Sequence, residues 1–216
     1  MTNESGFDLL ETLRWTPEGG FYLLERHLHR LQESARYFGF TCSPSRVRVV
    51  LARAVRGSDH SLRVRLLVGR DGRARAEQSR LEPTAGVLRI GLATRPIDPT
   101  DPFLFHKTTN RTQQERERSP AYDEVVLWNP DREITEAMTA NIVVDLDGRA
   151  VTPPVECGLL PGTMRAELLA AGEIAEAPIT VDQMLALRRI WLVNSVRGWR
   201  QGLLGPVTSP QGPSVR

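Results

Sequence analysis

The chain has 216 residues, 40% of them hydrophobic, enough apolar content to bury one large core or two smaller ones. Its 28 Lys and Arg against 26 Asp and Glu leave a formal charge of +2, and with aromatics at 6% this balance suits a small anionic molecule better than nucleic acid. Cys42 and Cys157 stand far apart without a CxxC pattern. They support neither a disulfide framework nor a metal site, and a reducing, cytoplasmic setting is expected. No signal-peptide core or run of membrane-spanning length is seen, so no membrane partner is expected.

In chain order, Phe7 to Trp15 alternates as a strand, with Thr16-Pro17-Glu18-Gly19-Gly20 as its turn and Phe21 to Leu24 as its return. Leu24, Leu28, Leu31, Ala35 and Phe38 share one helical face, and Gly39 stands at the helix end. Ser43 and Pro44 open a second helix, carrying Val47, Val50, Leu51 and Ala54 inward until Gly57 stops it. Leu62, Val64 and Leu66 alternate with Arg63 and Arg65 in a strand, Asp71-Gly72 makes a hairpin, and Val87 to Ala93 is a further strand. The first half therefore reads as α+β.

Pro96, Pro99 and Pro102 make 96–105 too rigid for a helix and too proline-rich for a central strand. This predicts a smaller domain over 1–95, a linker over 96–105 and a larger domain over 106–216. In the larger domain a short helix spans Gln113 to Arg118. Glu124 to Trp128 and Glu133 to Glu136 form one hairpin, and Asn141 to Asp145 pairs with Arg149 to Thr152 across Asp147-Gly148. Helices are expected over Thr163 to Ala171 and Val181 to Leu187. An apolar strand over Arg189 to Asn194 then empties into Ser195-Val196-Arg197-Gly198, and a loosely ordered tail follows Gly205.

The chemical centre is His106-Lys107-Thr108-Thr109-Asn110-Arg111. Alone it reads as a basic turn whose Thr108, Thr109 and Asn110 cap the next helix. A lysine so placed is also what a Schiff-base site needs. Gly158-Leu159-Leu160-Pro161-Gly162-Thr163-Met164-Arg165 sets a glycine-bounded turn against a helix start, which is ordinary punctuation or an anion site at the N–H groups of Thr163 and Met164. Glu136 is a solvated strand end or a cleft carboxylate. Ser195 is a turn serine or a ligand contact.

In their order along the chain these stretches resemble the fold-type IV pyridoxal-phosphate enzymes, which include branched-chain and D-amino-acid aminotransferases and aminodeoxychorismate lyase. The resemblance runs from about Asp8 to Gly205. It implies a two-domain fold with the cofactor, pyridoxal 5'-phosphate, in a cleft between the domains of a homodimer. Glu25-Arg26-His27-Leu28-His29-Arg30-Leu31 matches the helix motif whose last arginine meets the phosphate, here Arg30. Lys107 would be the Schiff-base lysine and Glu136 the partner of the pyridine nitrogen, with Thr163, Met164 and Ser195 at the phosphate.

Relative to that family the chain opens close to the first matching strand, as an N-terminally short member would, and it lacks the tyrosine that transaminases carry shortly after the lysine. Thr12 and Asn194 stand where transaminases tend to have glycine, and both are expected to act beside the cofactor. Together these departures favour a lyase that converts 4-amino-4-deoxychorismate to 4-aminobenzoate and pyruvate. An aminotransferase and a non-catalytic module left from a fusion are the alternatives. Arg14, Arg111 and Arg197 are the candidates for binding the substrate carboxylates.

Overall fold

The computed structural model describes residues 6–83, 86–187 and 189–205; the expected loose tail lies outside the described residues. Strand β1 (Leu9–Thr16) turns through the short β2 (Gly20–Phe21) into α1 (Leu24–Phe38), followed by α2 (Pro44–Ala54), β3 (Leu62–Val68) and β4 (Ala74–Arg80). The sheet order is β2-β1-β3-β4, with β1 and β3 antiparallel from Leu9↔Val68 to Trp15↔Leu62. Alternation gives each strand two faces. Leu9, Leu13, Leu62, Val64, Leu66 and Val68 pack on Leu28, Leu31 and Ala35 of α1 and on Val47 and Leu51 of α2. Leu10, Thr12, Arg63 and Arg65 point the other way.

The return strand ends at Phe21 because Leu23 takes a left-handed conformation (φ 53°) and starts the helix. Ser43 accepts a hydrogen bond from Arg46 N, so α2 opens as its capping residue predicts. Besides its apolar face, α1 buries a polar one. His27, Arg30 and Ser34 lie at helical spacing and are almost inaccessible.

The second sheet comprises β5 (Leu88–Leu92), β6 (Glu124–Trp128), β7 (Ile134–Ala137), β8 (Asn141–Leu146) and β9 (Arg149–Thr152), then β10 (Ala175–Glu176), β11 (Ile190–Asn194) and β12 (Gly198–Leu204). Three helices accompany it: α3 (Thr112–Arg116), α4 (Thr163–Ala170) and α5 (Val181–Ala186). Its order is β10-β9-β8-β11-β12-β5-β6-β7, and β7 also pairs with β8 through Glu136↔Asn141. Six strands, β8-β11-β12-β5-β6-β7, thereby close into a ring around Ile90, Val126, Ile142 and Leu192.

Strand β5 pairs in parallel with β6 and β12. The change of sheet therefore falls between β4 and β5, ahead of the proline stretch where the sequence sets the boundary. The expected helix over Gln113 to Arg118 is shorter, and Arg111 precedes it without a side-chain cap. Thr108, Thr109 and Asn110 do not cap it because the first two are engaged elsewhere: Thr109 Oγ1 accepts from Asp8 N, and Thr108 Oγ1 donates to Asn110 O.

Candidate active site

Lys107 is fixed by the smaller sheet although it follows the linker. Its carbonyl accepts from Leu10 N at 2.9 Å, Thr109 N donates to Asp8 O at 2.9 Å, and Leu9 bridges Thr108. This short pairing on β1 puts Lys107 next to Leu10 and Thr12 at the wall of a cavity of ≈ 510 Å³. The cavity lies between the sheets, with Arg63 and Arg65 on one side and Glu136, Asn141, Ser195 and Arg200 on the other. Burial pushes the Lys107 amine down to about 8, and the neighbouring guanidinium groups of Arg30 and Arg111 add to the effect. Lys107 is also the one lysine among the 28 Lys and Arg residues. That compositional signal singles it out without any motif.

Glu136 sits at the seam of the barrel, only 6% exposed. Burial raises its carboxyl to about 7, although Arg111, Lys107 and a 3.2 Å hydrogen bond from Leu160 N favour the charge. Across the seam Asn141 Nδ2 donates to Leu160 O at 2.9 Å. The turn 160–162 approaches so closely that a Cβ at Gly162 would lie 1.9 Å from Asn141 Oδ1. A larger residue there must displace the Asn141 side chain or the turn. The turn opens α4, whose cap Gly162 has no side chain to offer. Of the helix's first donors, Ala166 N finds Gly162 O, while among the described residues no backbone acceptor meets the N–H groups of Thr163 and Met164.

Arg30 reaches this turn from α1. Its Nε and Nη2 grip Glu11 at 2.9 and 2.6 Å, and Nη1 donates to Pro161 O at 3.1 Å. Of the five guanidinium donors, two remain for a ligand. Glu11 also takes His27 Nδ1 at 2.6 Å, and His27 Nε2 meets Thr163 Oγ1 at 3.3 Å. Burial alone would raise the Glu11 carboxyl, but the Arg30 and His27 charges and hydrogen bonds overcome it and hold it near 2. Sequence reasoning gave Glu11 and His27 no role. The available signal was a carboxylate between Leu9 and Leu13 on the strand face that packs against helices.

The other named residues divide. Thr12 and Ser195 line the cavity, and so do Arg111 and Arg197. Arg111 donates to Met138 O and Arg197 to Glu82 O. Arg14 does not line it: two residues beyond Thr12, its guanidinium stacks 4.5 Å above the Tyr22 ring at the far end of β1. Met164 turns its side chain into a cluster with Val143, Leu168 and Val193, leaving only its N–H toward the turn. Asn194 is occupied by its own loop. Its Oδ1 accepts from Val196 N and Arg197 N, and its Nδ2 donates to Thr139 O. Arg63 and Arg200, which the sequence reading passed over, line the cavity with no side-chain hydrogen bond or ion pair among the described residues.

A buried amine, a buried carboxyl and an anion-receptive helix start around one cavity between an α+β layer and a closed barrel define a fold-type IV enzyme site. The chain belongs to the amino-transferase class IV family, whose model matches residues 8–203, a family of pyridoxal-phosphate-dependent lyases and aminotransferases. A Schizosaccharomyces pombe protein provisionally named an aminodeoxychorismate lyase is 27% identical over 210 residues, covering 91% of this chain and 89% of its own. A Mesorhizobium loti structure, provisionally an amino-acid aminotransferase, is 38% identical with a TM-score of 0.86, over 92% of this chain and 100% of that one. A Legionella pneumophila structure, provisionally a 4-amino-4-deoxychorismate lyase, is 21% identical with a TM-score of 0.79, over 94% of this chain and 84% of that one, a likeness of fold. Among the described residues no helix is long and apolar enough to cross a membrane.

Proposed function

We propose that the chain is a cytoplasmic 4-amino-4-deoxychorismate lyase that releases 4-aminobenzoate and pyruvate, a step toward folate. The observation that carries this reading is the cationic wall of the cavity. Among the described residues Arg63 has no side-chain hydrogen bond or ion pair, Arg200 feels the nearby charges of Glu124 and Asp123 without a direct bond to them, Arg111 and Arg197 hydrogen-bond backbone carbonyls, and Thr12 offers a hydroxyl on the β1 side. A ring bearing two carboxylates suits such a wall.

The residues present fit pyridoxal phosphate. Arg30, the Thr163 and Met164 N–H groups and Ser195 would hold its phosphate, Glu136 its ring nitrogen and Lys107 its aldehyde carbon. When bound, the cofactor supplies an aldehyde that condenses with amines and a ring that draws off electrons. With its amine near 8, about a quarter of Lys107 is neutral at pH 7.5, against about a thousandth at an ordinary lysine value. The neutral Nζ is the base that takes the substrate proton. Glu136 holds a proton between its carboxyl and the ring nitrogen, a task matched to a group near 7. Thr12 orients the substrate from the opposite wall, and Asn194 acts by shaping the loop that presents Ser195 and Arg197. We further propose a homodimer whose second copy helps to close the site, an assembly checked by sedimentation.

The aminotransferase reading is favoured by the 38% identity to the Mesorhizobium loti protein. The deciding experiment supplies aminodeoxychorismate without any keto acid. Release of 4-aminobenzoate supports the lyase. Transfer of amino groups from an amino acid to 2-oxoglutarate, with aminodeoxychorismate untouched, replaces it with the aminotransferase. A purified protein that shows no visible absorbance with pyridoxal phosphate is the non-catalytic module.

A further inference from the structure

One buried carboxylate lies behind the cavity wall and has no part in the reading above. Glu124, the first residue of β6, is 9% exposed and does not line the cavity. Both of its oxygens point at a single residue. Thr139 N donates to Oε2 at 3.1 Å, and Thr139 Oγ1 donates to Oε1. Thr139 is the middle of the turn Met138-Thr139-Ala140, which joins β7 to β8 and does line the cavity. On its other side, Thr139 O accepts from Asn194 Nδ2 at 3.1 Å. Asn194 Oδ1 in turn takes Val196 N at 3.1 Å and Arg197 N at 2.8 Å. Met138 is tied as well, its carbonyl to Arg111 and its N–H to Val125 O at 3.1 Å. The turn is therefore a hub joining three parts of the wall: the Lys107 segment through Arg111, the barrel seam at Glu136 and Asn141, and the loop of Ser195 and Arg197.

We infer that Glu124 is a positioning residue: by accepting both Thr139 donors it fixes the 138–140 turn, and through Asn194 the Ser195 to Arg197 loop, in the arrangement that a bound anionic substrate meets. The placement of the carboxylate explains why a buried acid is retained here. A buried acceptor with two converging donors is satisfied, whereas an apolar residue would leave the Thr139 N–H and hydroxyl unpaired inside the wall. Burial raises the Glu124 carboxyl, and the two Thr139 hydrogen bonds pull it back. Glutamine reproduces the geometry without the charge, because its Oε1 can accept the N–H while its Nε2 donates to the hydroxyl oxygen.

This inference rests on the cavity being the active site, not on which reaction runs there, so turnover is measured on whichever reaction the wild type performs. Amide hydrogen exchange of the cofactor-free protein adds a readout independent of turnover. In Glu124→Ala the amides of Thr139, Val196 and Arg197 should lose protection, and KM should rise roughly tenfold while kcat falls less, the scale of one or two lost buried hydrogen bonds. Glu124→Gln should restore protection and bring KM to within about threefold of wild type. Thr139→Val, which keeps the N–H bond and loses the hydroxyl one, should fall between them, and it carries the test if the alanine variant does not fold. A glutamine variant as impaired as the alanine variant would overturn the inference, because charge opposite Arg111 and Arg200 would then be the property that matters. Unchanged exchange at Val196 and Arg197 in both Glu124→Ala and Thr139→Val would overturn it as well. Failure of the lyase assay alone leaves these comparisons intact.

Discussion

Glu136 should make the cofactor-free protein less stable than it would be with a neutral side chain, and by an amount that depends on pH. The carboxyl rises from 4.5 to about 7 on folding, chiefly through burial. The unfolded chain gives up this proton near pH 4.5, and the folded chain keeps it until about pH 7. Between those values the folded state binds more protons, so stability falls as pH rises. At ~1.4 kcal/mol per unit the full effect is roughly 3 kcal/mol, complete above about pH 7.5 and absent below about pH 4.5. Glutamine has nearly the same shape, still accepts the Leu160 N–H and never ionises. Cofactor-free Glu136→Gln should therefore match wild type at pH 4.5 and exceed it by up to about 3 kcal/mol at pH 8, as read from urea unfolding at a series of pH values. Curves that stay parallel from pH 5 to pH 8 would refute the argument, for they would mean that Glu136 ionises as freely in the fold as in the unfolded chain. The same variant should lose most turnover, since an amide cannot serve as an anionic partner for a ring proton.

Lys107→Ala should abolish turnover, and borohydride treatment of the wild type with pyridoxal phosphate should leave the cofactor's mass on the Lys107 peptide; a reduced protein that carries no cofactor mass on that peptide would remove Lys107 from its role. Glu11→Ala should cost about 3–5 kcal/mol of stability in denaturant unfolding, because Arg30 and His27 would remain buried without their shared partner. A loss under 1 kcal/mol would contradict the cluster geometry. Gly162→Ala should weaken pyridoxal-phosphate binding by tenfold or more in an absorbance titration, since the new Cβ must displace Asn141 or the turn. Wild-type affinity in that variant would mean that the turn moves without consequence.

Local patterns reveal local structure, and this chain separates the two kinds of information clearly. The periodicity of Leu28, Leu31 and Ala35, the Ser43-Pro44 start and the Asp71-Gly72 turn rest on interactions within a few residues, and each is present. The sheet to which β5 belongs is decided by parallel pairing with β12, more than a hundred residues away, which leaves no trace in Leu88 to Leu92. Strand β12 was missed because Gly198-Trp199-Arg200-Gln201-Gly202 shows no alternation; it is a strand through its neighbours β11 and β5. Lys107, Glu136 and Arg30, singled out by their motifs, all line the cavity. Arg14 shares the strand face of Thr12, and only the position of Tyr22 shows that it stacks outside the cavity.

The solitary lysine has a consequence for following the protein in solution. A lysine-directed protease has a single bond to cut, Lys107–Thr108, in the segment that pairs with β1, where Thr108 is 2% exposed. Cleavage requires that pairing to come apart. When reclosing outpaces cutting, the cleavage rate reports the free energy of local opening at the wall where the two sheets meet. Any compound that holds the layers together slows that one cut, so a two-band gel reads occupancy of the cavity even for ligands with no colour and no turnover.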